Sequence, residues 1–239
     1  TLFPYTTLFR SERILVLAST YPRWPGDTLP PFVHELARRL TAEFEVHVLV
    51  PHTAGAKTEE LMDGVQVHRF RYLPARFETL AYGGGMLPGL RTRPWRLLAL
   101  PLFLGMEFLV AIRLLRRRRF AAIHAHWLLP HGLIAVFARA FCGYRPAIAC
   151  TAHGADVYGL KGCFADAARR YTLTHCDRVA AVSASMLRTL TGPGGADPRF
   201  TVLSMGVDTH TRFVLPASGR DANRLLFRSE EHTSELQSR

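Results

Sequence analysis

Short apolar runs of strand length alternate along this chain with longer stretches whose apolar positions recur at helical spacing. Arg13 to Ser19, RILVLAS, predicts the first strand, and a breaker-rich loop, Thr20 to Thr28, follows it. Pro30 or Pro31 then opens a helix, since proline at the first helical position gives up an N–H that would have no partner there. Phe32, Val33, Leu36, Ala37 and Leu40 make the buried stripe of that helix, leaving Glu35, Arg38 and Arg39 to solvent. Phe44 to Val50 and Gly64 to Phe70 predict the next two strands, the second introduced by an Asp63-Gly64 turn. Arg76 to Arg93, with Gly83-Gly84-Gly85, reads as a mobile loop, and Leu97 to Leu115 as a long apolar helix.

The stretch from Ala121 to Tyr158 concentrates the polar and imidazole chemistry. A strand from Phe120 to Ala125 runs into His126 and Trp127, and Leu128 to Phe141 follows with apolar residues at helical spacing. A second strand, Ala147 to Ala152, runs into His153-Gly154-Ala155-Asp156. A strand, helix, strand unit of this length makes a parallel pair, and ligands bind outside the carboxyl ends of such strands. Gly162 to His175 predicts a helix, Arg178 to Val182 a strand, Ser183 to Leu190 a serine-capped helix, Gly192 to Asp197 a turn and Phe200 to Leu203 a last strand. Strands alternating with helices in this way predict an α/β fold, a doubly wound Rossmann-like parallel sheet.

Both ends are expected to be foreign to the fold. Residues 1 to 11, TLFPYTTLFRS, and 228 to 239, RSEEHTSELQSR, resemble direct translations of the adapters ligated to DNA fragments in short-read sequencing. The expectation is a frame cut by a sequencing insert, with the real loss at the carboxyl end. Residues 12 to 213 then form one domain, and 214 to 227 a linker and the start of another, whose first strand would be Asn223 to Phe227.

Composition narrows the partners. With 48% hydrophobic and 21% charged residues the chain is globular, and the adapter-like ends carry equal numbers of basic and acidic residues, so the net charge of +11 belongs to the remainder. Such an excess asks for nucleic acid, anionic lipid or a phosphorylated substrate. No RNA-type aromatic motif or helix-turn-helix pattern accompanies the arginines, so no nucleic-acid partner is expected. Arg91, Arg93 and Arg96 precede the Leu97 to Leu115 run and Arg116 to Arg119 follow it. That run would be about 28 Å long as a helix. It fits a helix buried against the sheet or one lying in a membrane interface anchored by Trp95; Glu107 and Arg113 oppose a membrane-spanning one. The four cysteines have no CxxC spacing and read as free thiols, and the first apolar run is strand-length and not a secretory signal. The expected location is the cytoplasm, or the periphery of the inner membrane face.

Candidate chemistry gathers at the two strand exits. His124 and His126 lie two apart on a strand and project to one face. With His131, His153 and Asp156 they admit three readings: a metal site, structural histidines, or ligand-contacting histidines. Metalloenzyme spacings such as HExxH are absent, and no metal is expected. His153-Gly154 at a strand exit presents an imidazole able to hydrogen-bond a sugar hydroxyl or phosphate oxygen near neutral pH. No GxSxG or GxGxxG pattern supports a serine hydrolase or a nicotinamide enzyme. The Thr20 to Thr28 loop either holds a phosphate at the helix start, with Gly26 permitting close approach, or is an ordinary surface loop.

ILVLASTYPRWPGDTLPPFVHELARRL, IHAHWLLPHGLIA, TAHGADVY, RVAAVSASM and VLSMGVD, in that order over about residues 13 to 213, resemble the amino-terminal domain of family 4 retaining glycosyltransferases of the GT-B fold. The resemblance implies two Rossmann-like domains, the first binding the acceptor and the second a nucleotide sugar, with no metal or other cofactor. It places Tyr21, Gly26, Asp27 and Thr28 near the acceptor or the donor diphosphate, and His153 at the transferred sugar as the catalytic residue. His124, His126, Trp127, Gly154 and Asp156 would line the cleft, and Gly206, Val207 and Asp208 would mark the crossing to the second domain. Two positions depart from the commoner pattern: Gly26-Asp27 stands where many members have paired glycines, and Met205 where asparagine is frequent. The resemblance implies a hexosyltransferase-type parent acting on a lipid-linked or cell-surface glycan acceptor, and a fragment inactive by itself. The alternative is a non-catalytic Rossmann-like module that binds a phosphorylated or glycan ligand.

Overall fold

The computed structural model describes residues 12–27, 29–82, 90, 94–192, 197–207, 209 and 214, with 94 and 95 described by backbone alone. The adapter-like ends, Gly83-Gly84-Gly85, most of the expected linker and the Asn223 to Phe227 strand lie outside these residues, as do Thr28 and Asp208.

Strand β1 (Arg13–Leu17) shows why the chain folds in layers. Successive side chains of a strand point to opposite faces, so Ile14 and Val16 enter one core while Leu15 and Leu17 enter another. Helix α1 (Phe32–Leu40) covers the first core with Val33 and Ala37, over valines of β2 (Glu45–Pro51) and β4 (Val65–Phe70). The second core lies under α2 (Leu100–Arg117), which is entered through a tighter turn, Pro94–Ala99, and under α3 (Leu133–Phe141). Phe103, Glu107, Ala111 and Leu115 form the buried stripe of α2 at the i, i+4 spacing of a helix face.

The remaining elements are β3 (Glu59–Met62), β5 (Ala122–His126), β6 (Ala147–Ala152), α4 (Cys163–His175), β7 (Arg178–Ala181), α5 (Ala184–Thr191) and β8 (Phe200–Val202). They complete an eight-stranded sheet in the order β3-β4-β2-β1-β5-β6-β7-β8, parallel throughout except for β3. The chain winds outward from β1 to β2 and β4, then returns through α2 to β5 and winds the other way. The strand order therefore reverses between β1 and β5, and the crevice at their carboxyl ends is where such sheets take ligands.

Most expected elements stand within a residue or two, and Ser183 caps α5 by accepting from the Met186 N–H at 3.2 Å. Two differ. Strand β3 was not expected, because EELM at the sheet edge carries charge in place of an apolar face. It pairs antiparallel with β4 through the Asp63-Gly64 turn, both of whose residues have positive φ, as a tight hairpin turn requires. The helix expected to begin at Leu128 starts only at Leu133, since Leu128–Gly132 is a single wide turn with Leu129 extended.

Gly132 is held in that turn by its neighbours. A Cβ there would stand 2.9 Å from Thr172 Cγ2 and 3.0 Å from Cys150 Sγ, both buried. Gly132→Ala is expected to cost about 1–3 kcal/mol in urea unfolding, by overpacking between β6 and α4. An unchanged midpoint would show that α4 yields without penalty.

Candidate functional site

The exits of β5 and β6 lie side by side, with His126 paired in register to Thr151. Asp156 fixes both. Its Oδ2 accepts from the Leu128 N–H at 2.7 Å, and its Oδ1 from the N–H groups of His153 at 3.1 Å and Gly154 at 2.9 Å. Gly154 has φ +112°, in a region that favours glycine, and Trp127 has φ +71°, a strained value for a side chain of its size. These two turns aim side chains that a regular helix start would have pointed elsewhere.

A tight group of rings results. His124 and His126 have ring centres 4.5 Å apart, as expected for neighbours on one strand face, and His126 stacks on His153 at 5.2 Å. The half-exposed Trp127 indole lies 4.7 Å from His153. Phe32, from the first turn of α1, closes the group at 5.2 Å from His153 and 6.0 Å from Trp127. Nδ1 of His126 and Nε2 of His153 share a hydrogen bond of 2.9 Å, and His124 Nε2 meets Thr151 Oγ1 at 2.9 Å.

Burial favours the neutral form of these rings. Burial lowers the pKa of His124 to about 4. Burial, with His124 and His131 nearby, does the same for His153, also to about 4. His126 is pushed well below the ordinary histidine value by burial first and then by His124, His153 and His131. A hydrogen bond between two neutral imidazoles needs one donor and one acceptor. Consequently His153 Nδ1 is a donor whenever the buried His126 Nε2 is an acceptor, and the reverse. His153, the partly exposed member, can thus offer a hydroxyl group either a donor or an acceptor.

Behind this wall lies a second buried pair. Glu107, the sole acidic residue of α2, meets His131 Nδ1 through Oε1 at 2.5 Å, and both side chains are fully buried. The His131 ring is 5.9 Å from Trp127. Glu107 Oε2, His131 Nε2 and His126 Nε2 have no hydrogen-bond partner among the described residues, so polar capacity is concentrated here. In the sequence, His131 admits a metal, structural or ligand-contacting reading and Phe32 falls in the core stripe. A lone glutamate in an otherwise apolar helical stripe was the one signal for the Glu107 pair.

The first loop is organised differently from its expected role. Tyr21 is fully buried, and its hydroxyl donates to His34 Nδ1 at 2.7 Å while His34 Nε2–H donates to Asp63 at 2.8 Å. Burial raises the Tyr21 pKa, so its phenol stays neutral. The Asp27 carboxylate accepts from the Arg23 backbone N–H at 2.9 Å and from its guanidinium at 2.8 and 2.7 Å, which holds its pKa well below the usual range. Gly26 is exposed with φ +79° and open space around it. Asp156, expected on the cleft wall, sits behind it with its oxygens spent on backbone amides. Gly206 and Val207 belong to a separate unit that begins at Gly206.

A doubly wound parallel sheet with its polar crevice at the β1/β5 reversal defines a Rossmann-like domain, the amino-terminal half of a GT-B fold. The chain belongs to the glycosyl transferase 4-like domain family, whose model matches residues 29–206. Solved structures share the fold at low identity. Sucrose-phosphate synthase from Thermosynechococcus elongatus superposes with a TM-score of 0.52 at 14% identity, over 82% of this chain and 91% of that one. Anabaena HepE in complex with UDP and glucose gives 0.53 at 14%, over 82% and 45%. The E. coli trehalose-6-phosphate protein bound with UDP-2-fluoro glucose gives 0.51 at 14%, over 82% and 49%. The chain thus spans less than half the length of the last two. No curated protein sequence matches it.

Two outcomes are expected. Because the folded-state pKa values of His124, His126 and His153 lie below the ordinary value of about 6.5, the unfolded chain binds more protons as pH falls. Their contribution to stability is full above about pH 6.5 and is lost towards the folded values. Urea midpoints should therefore drop between about pH 6.5 and about pH 5, above the carboxylate range, and His153→Gln should flatten that slope. Asp156→Ala strands three amide N–H groups and should cost at least about 2 kcal/mol at neutral pH, measured by the same unfolding. A neutral effect would mean the two turns hold themselves.

Proposed function

We propose that this chain is the acceptor-side domain of a retaining hexosyltransferase. The bond between the anomeric carbon of a nucleotide sugar and its diphosphate breaks, a bond from that carbon to an acceptor hydroxyl oxygen forms, and the hydroxyl proton leaves with the departing nucleoside diphosphate. The observation that carries this reading is the neutral His126–His153 pair at the sheet's switch point, walled by Trp127 and Phe32. Neutral imidazoles can donate to and accept from hydroxyl groups at physiological pH without adding a cation to the crevice. His153, half-exposed beside the indole, is the group that contacts the transferred sugar, and the aromatic walls exclude water from the reacting bond. Gly26 and its loop border the acceptor and the donor diphosphate, and Gly206 to Asp208 lead to the donor domain. No metal or other cofactor takes part.

The UDP-bound states of HepE and of the E. coli protein support a nucleotide-sugar donor. The acceptor is a lipid-linked or cell-surface glycan, handled in the cytoplasm or at the inner membrane face. Within the expected 12 to 213 domain the compact unit ends at Met205, the donor domain follows a 214–227 linker, and the terminal segments derive from sequencing adapters. Sequencing the source DNA across both junctions checks the last point, since genomic continuity through residues 1–11 and 228–239 would refute it.

Transfer is expected only when the reading frame continues into a donor domain. In that longer protein His153→Ala should lower kcat/KM for sugar transfer by about 10²-fold or more, with unfolding midpoints near those of the parent. Undiminished turnover would remove His153 from the reaction. Turnover by the present chain alone would overturn its assignment as half an enzyme and leave no place for a donor domain.

A further inference from the structure

The outer face of α2 is apolar and exposed among the described residues. Leu102 is 51% exposed and Leu109 58%, both on the side opposite the buried Phe103–Glu107–Ala111–Leu115 stripe, and Leu98, in the turn before α2, is 82% exposed. The face continues onto α3, where Phe141 is 57% exposed and its ring lies 5.9 Å from Phe108 of α2. Phe137, on the same helix, is exposed and stacks on Tyr171 of α4. An apolar surface shared by neighbouring helices marks an interaction site.

Its rim identifies the occupant. Arg113 lies on the same helix face, and Arg116 to Arg119 are all exposed at the end of α2. The Arg116 guanidinium donates to the Phe141 carbonyl at 2.9 and 3.2 Å, joining the basic end to the aromatic one. The only carboxylate of α2, Glu107, is turned inward against His131. The patch is thus apolar, edged by cations and free of surface acid along α2, which matches an anionic bilayer surface.

We propose that the outer face of α2, with Phe137 and Phe141 of α3, lies in the plane of an anionic membrane's headgroup region. Arg96–Arg117 is long and apolar enough to cross a bilayer. Crossing would tear Phe103, Ala111 and Leu115 from the core and expose Glu107 to lipid, whereas lying flat leaves every buried contact in place. This rests on the glycosyltransferase reading only for its purpose, to bring the crevice to a lipid-linked acceptor; the surface itself does not depend on that chemistry.

The test uses the full chain and vesicles, without donor or turnover, so its result is independent of whether sugar transfer occurs. Vesicles of phosphatidylcholine and phosphatidylglycerol in equal parts should sediment the protein, and pure phosphatidylcholine should not. Glutamine at all of Arg116 to Arg119 should weaken binding about tenfold or more, as should Leu102→Ser combined with Leu109→Ser or Phe141→Ser. Raised salt should weaken it in the parent protein, a readout that needs no variant. Equal binding to both vesicles, or no effect of the arginine and leucine changes, would overturn the proposal. So would resistance to alkaline carbonate extraction, which marks a spanning helix, or a lipid-free dimer abolished by the same leucine changes, which marks a second copy of the chain as the occupant.

Discussion

One carboxylate organises the crevice. Asp156 reaches back from the β6 exit to the N–H of Leu128 at the β5 exit, while also holding the N–H groups of His153 and Gly154. A charged acceptor bound to three backbone donors is stronger than the neutral bonds of an ordinary turn. It therefore sustains what those turns would not: a tryptophan at positive φ and a glycine at φ +112° on neighbouring strands. The positions of Trp127 and His153, and hence of the histidine pair, follow from it.

The sheet supplies the setting for that bond. Parallel strands put all their carboxyl ends on one side, and the reversal of winding between β1 and β5 leaves a crevice there that no crossover helix fills. Helix α1 arrives at this crevice from one face, bringing Phe32, while the wide turns after β5 and β6 bring the imidazoles from the other. Crowding by these rings excludes water, and this exclusion holds the histidines neutral.

Helix α2 connects the crevice to the outside of the molecule. Its inner stripe is interrupted by Glu107, whose burial is tolerated because His131 meets it, and its outer face is left apolar. Burying a carboxylate where a leucine would pack costs stability unless a specific partner compensates. The helix is thus registered against the turn that carries Trp127. Whatever engages the outer face also engages an element that touches the site's back wall.

The sequence alone determined the layers. Strand-length apolar runs, the alternation in RILVL, the proline entry to α1, the serine cap of α5 and the Asp63-Gly64 turn all act within a few residues, so they could be read locally. The strand exits bearing His126 and His153 were legible for the same reason. Local pattern could not tell which polar side chains face the crevice. The Asp156–Leu128 bond spans 28 residues of chain and the His131–Glu107 pair 24. Tyr21 and Asp27 looked equally available in the first loop, yet packing took one for His34 and ion pairing took the other for Arg23. Phe32 fitted a buried stripe by spacing, but its place at the end of α1 turned it to the crevice. Spacing fixes which residues share a face; only tertiary packing decides what that face meets.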